Sequence, residues 1–151
     1  MLEQGIITLT TDIGWHYAAQ MKGVILKINP TAKIIDITHD ISDGNIPEGA
    51  FILRETTKHF PTHCVHIAIV DPGVGTARRA LLILTKSGIY IGPDNGLLIP
   101  AVREAGIVGI YEIKNPEYIA TRISRTFHGR DIFAPVGALI STGVGIEQLA
   151  I

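Results

Sequence analysis

The sequence predicts an α/β fold with a mostly parallel central sheet and helices on both faces, arranged as a three-layer sandwich. Apolar runs of strand length alternate with segments whose apolar residues recur at helical spacing, which is the pattern of βαβ units. The run at Cys64–Ile69 is long, mostly apolar and rich in β-branched residues, as is typical of a strand covered on both faces. The length of 151 residues corresponds to one domain, residues 1–151.

The first half of the chain alternates strand and helix. Its predicted elements are a strand at 6–11, a helix with an apolar face from 17 to 28, a strand at 33–37, and a helix that begins at 45 and ends before 60–61. Asn45 is the expected N-cap of the second helix, because Pro47 and Glu48 follow in the positions that a helix start favours.

The second half starts with the strand at 64–69 and adds a hairpin. Its further predicted elements are strands at 81–84 and 89–91 around Lys86-Ser87-Gly88, a helix ending near 104, a strand at 107–113 and a helix at 132–140. Either Asp94 or Asn95 is expected to cap the helix that ends at Gly106. Pro135 lies inside the last helix.

Composition excludes several classes of protein. The net charge of -1 argues against a nucleic-acid or membrane-surface partner held by bulk charge. No run approaches the eighteen or so apolar residues that cross a membrane. The single cysteine, Cys64, cannot form an internal disulfide, so the sequence is compatible with a reducing cytoplasm.

A histidine-rich segment around Cys64 does not have the spacing of a metal site. Pro61 breaks helical spacing between His59 and His63, and His63 and His66 point to opposite faces of a strand. No second group of ligands has zinc-like spacing. We therefore predict no metal site and no cofactor.

The segment Val70–Arg79 is the strongest candidate for a functional site. Asp71 comes directly after the strand at 64–69, and the carboxyl ends of such strands are where open α/β sheets bind ligands. Arg78 follows after a glycine-containing turn and stands where a dinucleotide fingerprint needs its third glycine. The segment alone leaves two alternatives open, a structural ion pair and part of an active site.

Three other positions join this candidate. Asp12 also follows a predicted strand, so that its carboxylate and that of Asp71 are expected at one edge of the sheet. His128 lies just before a helix start, where bound anions are favoured. Trp15 is a candidate for stacking on a purine, although packing is the commoner role of such a residue.

Seven short segments together resemble one family. They are Thr11-Asp12-Ile13-Gly14, Met21-Lys22-Gly23, Asp36-Ile37-Thr38-His39, Pro47-Glu48-Gly49-Ala50, Val70–Thr76, Gly92–Leu98 and Thr126–Asp131. In this order they resemble the N-terminal domain of the S-adenosylmethionine hydroxide adenosyltransferases, which are relatives of fluorinase and chlorinase. The resemblance spans nearly the whole chain.

The resemblance implies hydrolysis of S-adenosylmethionine to adenosine and methionine by attack of water or hydroxide on ribose C5′, with the sulfonium compound as substrate rather than cofactor. It implies a water-orienting triad of Asp71, Arg78 and His128. It implies five substrate-binding positions, which are Asp12, Trp15, Asn95, Phe127 and Gly129. We expect the water proton to pass toward His128.

The same resemblance leaves alternatives. Halogenating relatives carry tyrosine at the position of His128 and serine at that of Gly129, and fluorinase has tyrosine at that of Asp71, so the hydrolase branch fits better than a halogenase. The loop Gly14–Ala18 is shorter than the usual family form. The family also has a C-terminal β-rich domain, which this chain lacks, and forms homotrimers. An inactive N-terminal fragment is therefore the remaining alternative.

Overall fold

A computed structural model describes residues 5–74, 76–114 and 127–149. The strands are β1 (Ile6–Thr11), β2 (Lys33–Thr38), β3 (Cys64–Ile69), β4 (Ala80–Thr85), β5 (Gly88–Pro93) and β6 (Ile107–Glu112). The helices are α1 (Gly14–Ile28), α2 (Ile46–Thr57), α3 (Ile99–Ala105), α4 (Ala134–Ser141) and α5 (Ile146–Leu149). A π-helical turn, Gly129–Phe133, precedes α4. The α/β class and the order of elements are confirmed.

The six strands form one mixed sheet in the order β2-β1-β3-β5-β4-β6. β1 is parallel to β2 and β3, and β3 is parallel to β5. β4 is antiparallel to both of its neighbours. The sheet is therefore mixed: three of its five pairings are parallel, as expected, and β4 runs against the other described strands. The reason is the predicted hairpin, which turns at Lys86 and Ser87 and so forces β5 to run against β4.

Side chains of the sheet contribute alternately to two hydrophobic cores. Ile67 belongs to a core that includes residues of α1 and α4, whereas its neighbour Ala68 belongs to a second core with residues of α2 and α3. Successive side chains of a strand point to opposite faces, so each face of β3 is covered by its own pair of helices. This double coverage explains why β3 is buried along its whole length.

The helix caps follow the sequence in one case and depart from it in another. The Asn45 side chain accepts a hydrogen bond from the Glu48 amide and caps α2, as predicted. α3 instead starts after Leu98 and has no side-chain cap. Asn95 donates to the Val70 carbonyl, and Asp94 pairs with Arg79. The expected cap is therefore wrong, because α3 begins four residues after Asn95, whose Oδ1 accepts the Leu97 N–H in the turn before the helix.

The register of β1 and β3 brings the two candidate strand ends together. Thr11 and Ile69 are paired in this register, and the strands run in the same direction. Asp12 donates its backbone N–H to the Ile69 carbonyl at 3.2 Å. Asp12 and Asp71 therefore leave adjacent strands at the same carboxyl edge of the sheet.

Candidate functional site

Asp71 and Arg78 form a closely bonded ion pair at this edge. The Nε atom of Arg78 lies 3.1 Å from both carboxylate oxygens of Asp71, and its Nη2 lies 2.5 Å from Oδ2. Only 4% of the Asp71 side chain and 11% of the Arg78 side chain are exposed. Charge-assisted bonds of this kind, shielded from water, hold a guanidinium in a fixed orientation.

Arg78 also reaches His128. Its Nη2 lies 2.8 Å from the Nδ1 atom of the imidazole, while its guanidinium carbon stacks 5.5 Å from the centre of the buried Phe133 ring. An arginine can only donate hydrogen bonds. Nδ1 must therefore accept, and the imidazole in this arrangement is neutral with its hydrogen on Nε2. This geometry differs from the expected proton route, because Nδ1 cannot take a proton without losing Arg78.

A cavity of about 300 Å³ opens beside this triad. Its lining includes five predicted site residues, which are Asp12, Asp71, Phe127, His128 and Gly129. The volume lies at the lower end of the range for small-molecule pockets, about 300–1,000 Å³. The cavity thus offers room for part of a substrate, and its lining includes carboxylates, an imidazole and an aromatic ring.

Three predicted residues do not line this cavity in the described part of the chain. Arg78 lies behind Asp71 and His128, joining them. Trp15 is 54% exposed and turns toward His39, with ring centres 4.7 Å apart. Asn95 holds Val70, the residue before Asp71, through a 2.9 Å hydrogen bond from its amide. Direct substrate contacts by Trp15 and Asn95 stay predictions.

The Asp12 carboxylate is fixed by the backbone opposite it. Its Oδ2 accepts the Gly44 N–H at 2.7 Å. Burial raises the pKa of the Asp12 carboxyl, and the charges of Asp43 and Asp71 raise it further, whereas the hydrogen bond from Gly44 acts in the opposite direction. A carboxylate held in this way presents its other oxygen as an acceptor for a hydroxyl group.

Sequence reasoning missed several residues of the lining. Gln20, Asp43 and Arg130 line the cavity, and the Arg130 guanidinium lies 5.0 Å from the centre of the Phe127 ring. Tyr17 also lines the cavity, and its ring centre lies 4.9 Å from that of Phe127. Asp43 had one usable signal, since it follows β2 at the carboxyl edge of the sheet.

The histidine-rich segment near Cys64 is used for packing. His66 is buried, and its Nδ1 forms a 2.7 Å hydrogen bond with the Thr8 hydroxyl. Its ring also contacts the Tyr90 ring. Burial lowers the pKa of His66 to about 4. Within residues 5–74, 76–114 and 127–149, no group of three or more potential ligands is placed to hold a metal ion. The helices described there include none long and apolar enough to span a membrane.

The ion pair, imidazole and cavity at a sheet's carboxyl edge define an enzyme-like small-molecule site on an α/β domain. Comparison with known proteins specifies the class. The family described as the SAM hydroxide adenosyltransferase N-terminal domain matches residues 7–150. The chain therefore belongs to the S-adenosylmethionine hydroxide adenosyltransferase family.

Named relatives agree with this assignment, and one solved structure shares the fold. Proteins named (R)-S-adenosyl-L-methionine hydrolase from Methanocaldococcus jannaschii and Salinispora arenicola are 47% and 44% identical, covering 95% and 94% of the chain. A fluorinase from an Actinoplanes species is 28% identical over 95% of the chain. A crystal structure of a Thermotoga maritima protein matches with a TM-score of 0.91 and 41% identity, over 97% of this chain and 57% of that one.

The chain spans only about half the length of these relatives. It covers 57% of the M. jannaschii protein, 55% of the S. arenicola protein and 57% of the fluorinase. The fluorinase alignment has 169 positions against 151 residues in the chain. The fluorinase therefore carries insertions that this chain lacks. Residues Gly14–Ala18, which were expected to form a shortened loop, are the first residues of α1.

Proposed function

We propose that the site hydrolyses S-adenosyl-L-methionine, of the (R) configuration at sulfur, to adenosine and L-methionine. Water attacks ribose C5′ in line with the C5′–S bond. The C5′–O bond forms as the C5′–S bond breaks, and the electron pair passes to sulfur. The sulfonium leaves as a neutral thioether, so no general acid is required. One water proton is released for each turnover, and no cofactor takes part.

The observation that carries this proposal is the bridge by Arg78 between Asp71 and His128 at the cavity wall. Asp71 accepts a hydrogen bond from the attacking water, and His128 donates from Nε2 to the water oxygen. The lone pair of that oxygen is then aimed at C5′. Arg78 fixes both partners, which supplies the preorganisation on which most catalytic stabilisation depends.

The proton leaves late in this mechanism. A free hydroxide at neutral pH would cost about 12 kcal/mol, since the pKa of water is near 15.7 and each pK unit is worth 1.36 kcal/mol. Attack by oriented water avoids that cost, because the oxygen becomes strongly acidic only as its bond to C5′ forms. Asp71 is the nearest acceptor for the proton at that stage.

The ribose is proposed to lie against Asp12, whose Oδ1 accepts hydrogen bonds from the ribose hydroxyls, with Phe127 and Gly129 lining the path to C5′.

We propose a hydrolase rather than a halogenase because the named hydrolases are 44–47% identical and the fluorinase only 28%.

The full-length protein is proposed to be a cytoplasmic homotrimer in which this chain is the N-terminal domain. A C-terminal β-rich domain would add contacts to the adenine and methionine groups. The length comparison supports the further domain, as does the small volume of the cavity, about 300 Å³, which suits part of the substrate better than the whole.

Incubation with S-adenosylmethionine, with and without halide, tests the proposal. Chromatography should show adenosine and methionine in equal amounts, independent of chloride or fluoride, and Asp71→Ala should abolish both. Formation of 5′-halo-adenosine would instead establish a halogenase. If the chain alone is inactive, joining it to the remaining domain distinguishes an incomplete fragment from a wrong function: silence of the full-length form contradicts hydrolysis.

A further inference from the structure

A buried polar network lies next to the cavity and touches none of the triad residues. Its centre is His39, whose side chain is 0% exposed. His39 Nδ1 lies 2.7 Å from the Thr11 hydroxyl, and Nε2 lies 2.7 Å from Oδ1 of Asp36. Lys22 completes the network with a 2.5 Å ion pair to the other Asp36 oxygen. Both imidazole nitrogens are therefore bonded.

The directions of these bonds follow from the donors. A carboxylate only accepts, so Nε2 of His39 carries a hydrogen and donates it to Asp36. With a neutral ring, Nδ1 then accepts the Thr11 O–H. The Thr11 hydroxyl oxygen in turn accepts a hydrogen bond from the Ile13 N–H, 3.3 Å away. The network thus ends on the backbone just past Asp12.

The same two chain segments are joined again by backbone bonds. Gly14 donates its N–H to the His39 carbonyl at 3.1 Å, and the Gly44 N–H binds the Asp12 carboxylate at 2.7 Å. The turn from β1 into α1 is therefore held on both sides of Asp12 by the connection from β2 to α2. Gly14 adopts a φ of 81° in this turn, a conformation that needs external support or glycine.

We infer that His39 is a positioning residue, which holds the β1–α1 turn through Thr11 and thereby fixes the Asp12 carboxylate for a ribose hydroxyl. The ribose part of this inference rests on the proposed function, whereas the holding of the turn does not. Thr11 is fully buried, so this Thr–His–Asp arrangement has no access to substrate and acts through Asp12 alone.

His66 provides a matched control. It is as buried as His39, each being 1% exposed, and it makes the same 2.7 Å bond to a threonine, Thr8. It contacts neither Asp12 nor the turn. His39→Gln and His66→Gln therefore remove comparable buried imidazoles, and only His39→Gln should loosen the turn. Thr11→Val and Thr8→Val form a second matched pair, with Thr11→Ser expected to restore what Thr11→Val removes.

The first measurement follows local opening of the β1–α1 turn in this chain, without substrate. We expect His39→Gln to speed amide hydrogen exchange at Gly14 and Gly44 by about tenfold or more, as local opening becomes easier, and His66→Gln to leave both unchanged. Trp15 is the single tryptophan and lies edge-on to His39, so its emission should change only in the His39 variant. Equal exchange and emission in the two variants would overturn the inference.

The second measurement is of kcat and KM for S-adenosylmethionine hydrolysis. It uses the full-length protein if the chain alone is inactive. His39→Gln should raise KM about tenfold with little change in kcat, because Asp12 binds ground state and transition state alike. In an Asp12→Ala background the same change should have no further effect, since coupled residues are not additive. An undiminished effect in that background would overturn action through Asp12. Absence of turnover in the full-length wild type would count against the proposed function and leave the exchange result standing.

Discussion

The Nη2 atom of Arg78 lies 2.8 Å from Nδ1 of His128 while it also binds Asp71. One guanidinium group therefore sets the orientation of the two groups that face the cavity. Because Arg78 donates to Nδ1, it fixes the ring tautomer of His128. Arg78 therefore has an orienting role, whereas Asp71 and His128 are the groups that face the cavity.

Arg78→Lys should reduce kcat by about 100-fold or more, because an ammonium cannot bind a carboxylate through two nitrogens and an imidazole at once. Arg79→Lys is the matched control. The Arg79 side chain is 63% exposed and pairs with Asp94. The kcat of Arg79→Lys should therefore stay within about twofold of the wild type. Equal losses in the two variants, measured by adenosine release, would remove Arg78 from the mechanism.

His128→Asn should retain more activity than His128→Gln or His128→Ala. The Asn Oδ1 atom can take the place of Nδ1 and accept from Arg78, so that the triad keeps its geometry. We expect His128→Asn to exceed His128→Gln in kcat by about tenfold, in line with the value of a positioned hydrogen bond to a charged group. If both variants are equally inactive, acceptance from Arg78 alone does not maintain turnover, and the Nε2–H donor to the attacking water is required as well.

Stability should fall as the pH is lowered from about 6.5 toward 4. Burial lowers the pKa of His66 from 6.5 to about 4, so the unfolded chain binds a proton in this window that the folded chain does not. Stability is therefore complete above about 6.5 and is lost on acidification, by roughly 3 kcal/mol in all. Urea unfolding across this range should show the slope, and His66→Gln should show a shallower one.

Two buried glycines should differ sharply when replaced by alanine. A Cβ at Gly137 of α4 would lie 2.5 Å from Cδ1 of Ile67, and one at Gly129 would lie 3.2 Å from Sδ of Met21. Gly137→Ala overpacks a full core and should cost about 1–3 kcal/mol. Gly129→Ala should cost less, because a methionine side chain adapts readily, yet it should lower turnover by narrowing the cavity. Thermal unfolding and adenosine release separate the two effects.

Local signals in the sequence were enough to predict most of the strands and helices. The hairpin and the Asn45 cap depend on neighbouring residues, and both are present as predicted. The hairpin also predicts that β4 and β5 are antiparallel. The pairing of β4 with β6, and of β3 with β5, depends on which distant strands meet, and the periodicity carries no signal for that. The predicted start of α3 is wrong because Asn95 Oδ1 accepts the Leu97 N–H in a turn, and the helix begins only at Ile99.

The candidate site was predictable to the extent that it follows strand ends. Asp12 and Asp71 lie at one edge because parallel strands bring their carboxyl ends together. His39 lies in one of the segments that carry the family resemblance but had no predicted role, because its partner Thr11 is 28 positions away and meets it only in the folded state. Trp15 was expected to face the substrate, but the side chain turns to His39, a choice that helix periodicity does not decide.

The reversed direction of β4 has a consequence for the segment between Asp71 and Arg78. Because β4 starts at the edge where β3 ends, both anchors of this segment lie on the same side of the sheet, and the chain never has to cross to the far side between them. Closing a longer loop between fixed ends costs only about 0.6 kcal/mol for each doubling of its length. Homologues can therefore lengthen or recompose the tip of this segment, and so reshape the rim of the cavity, while the pair at its base keeps its geometry.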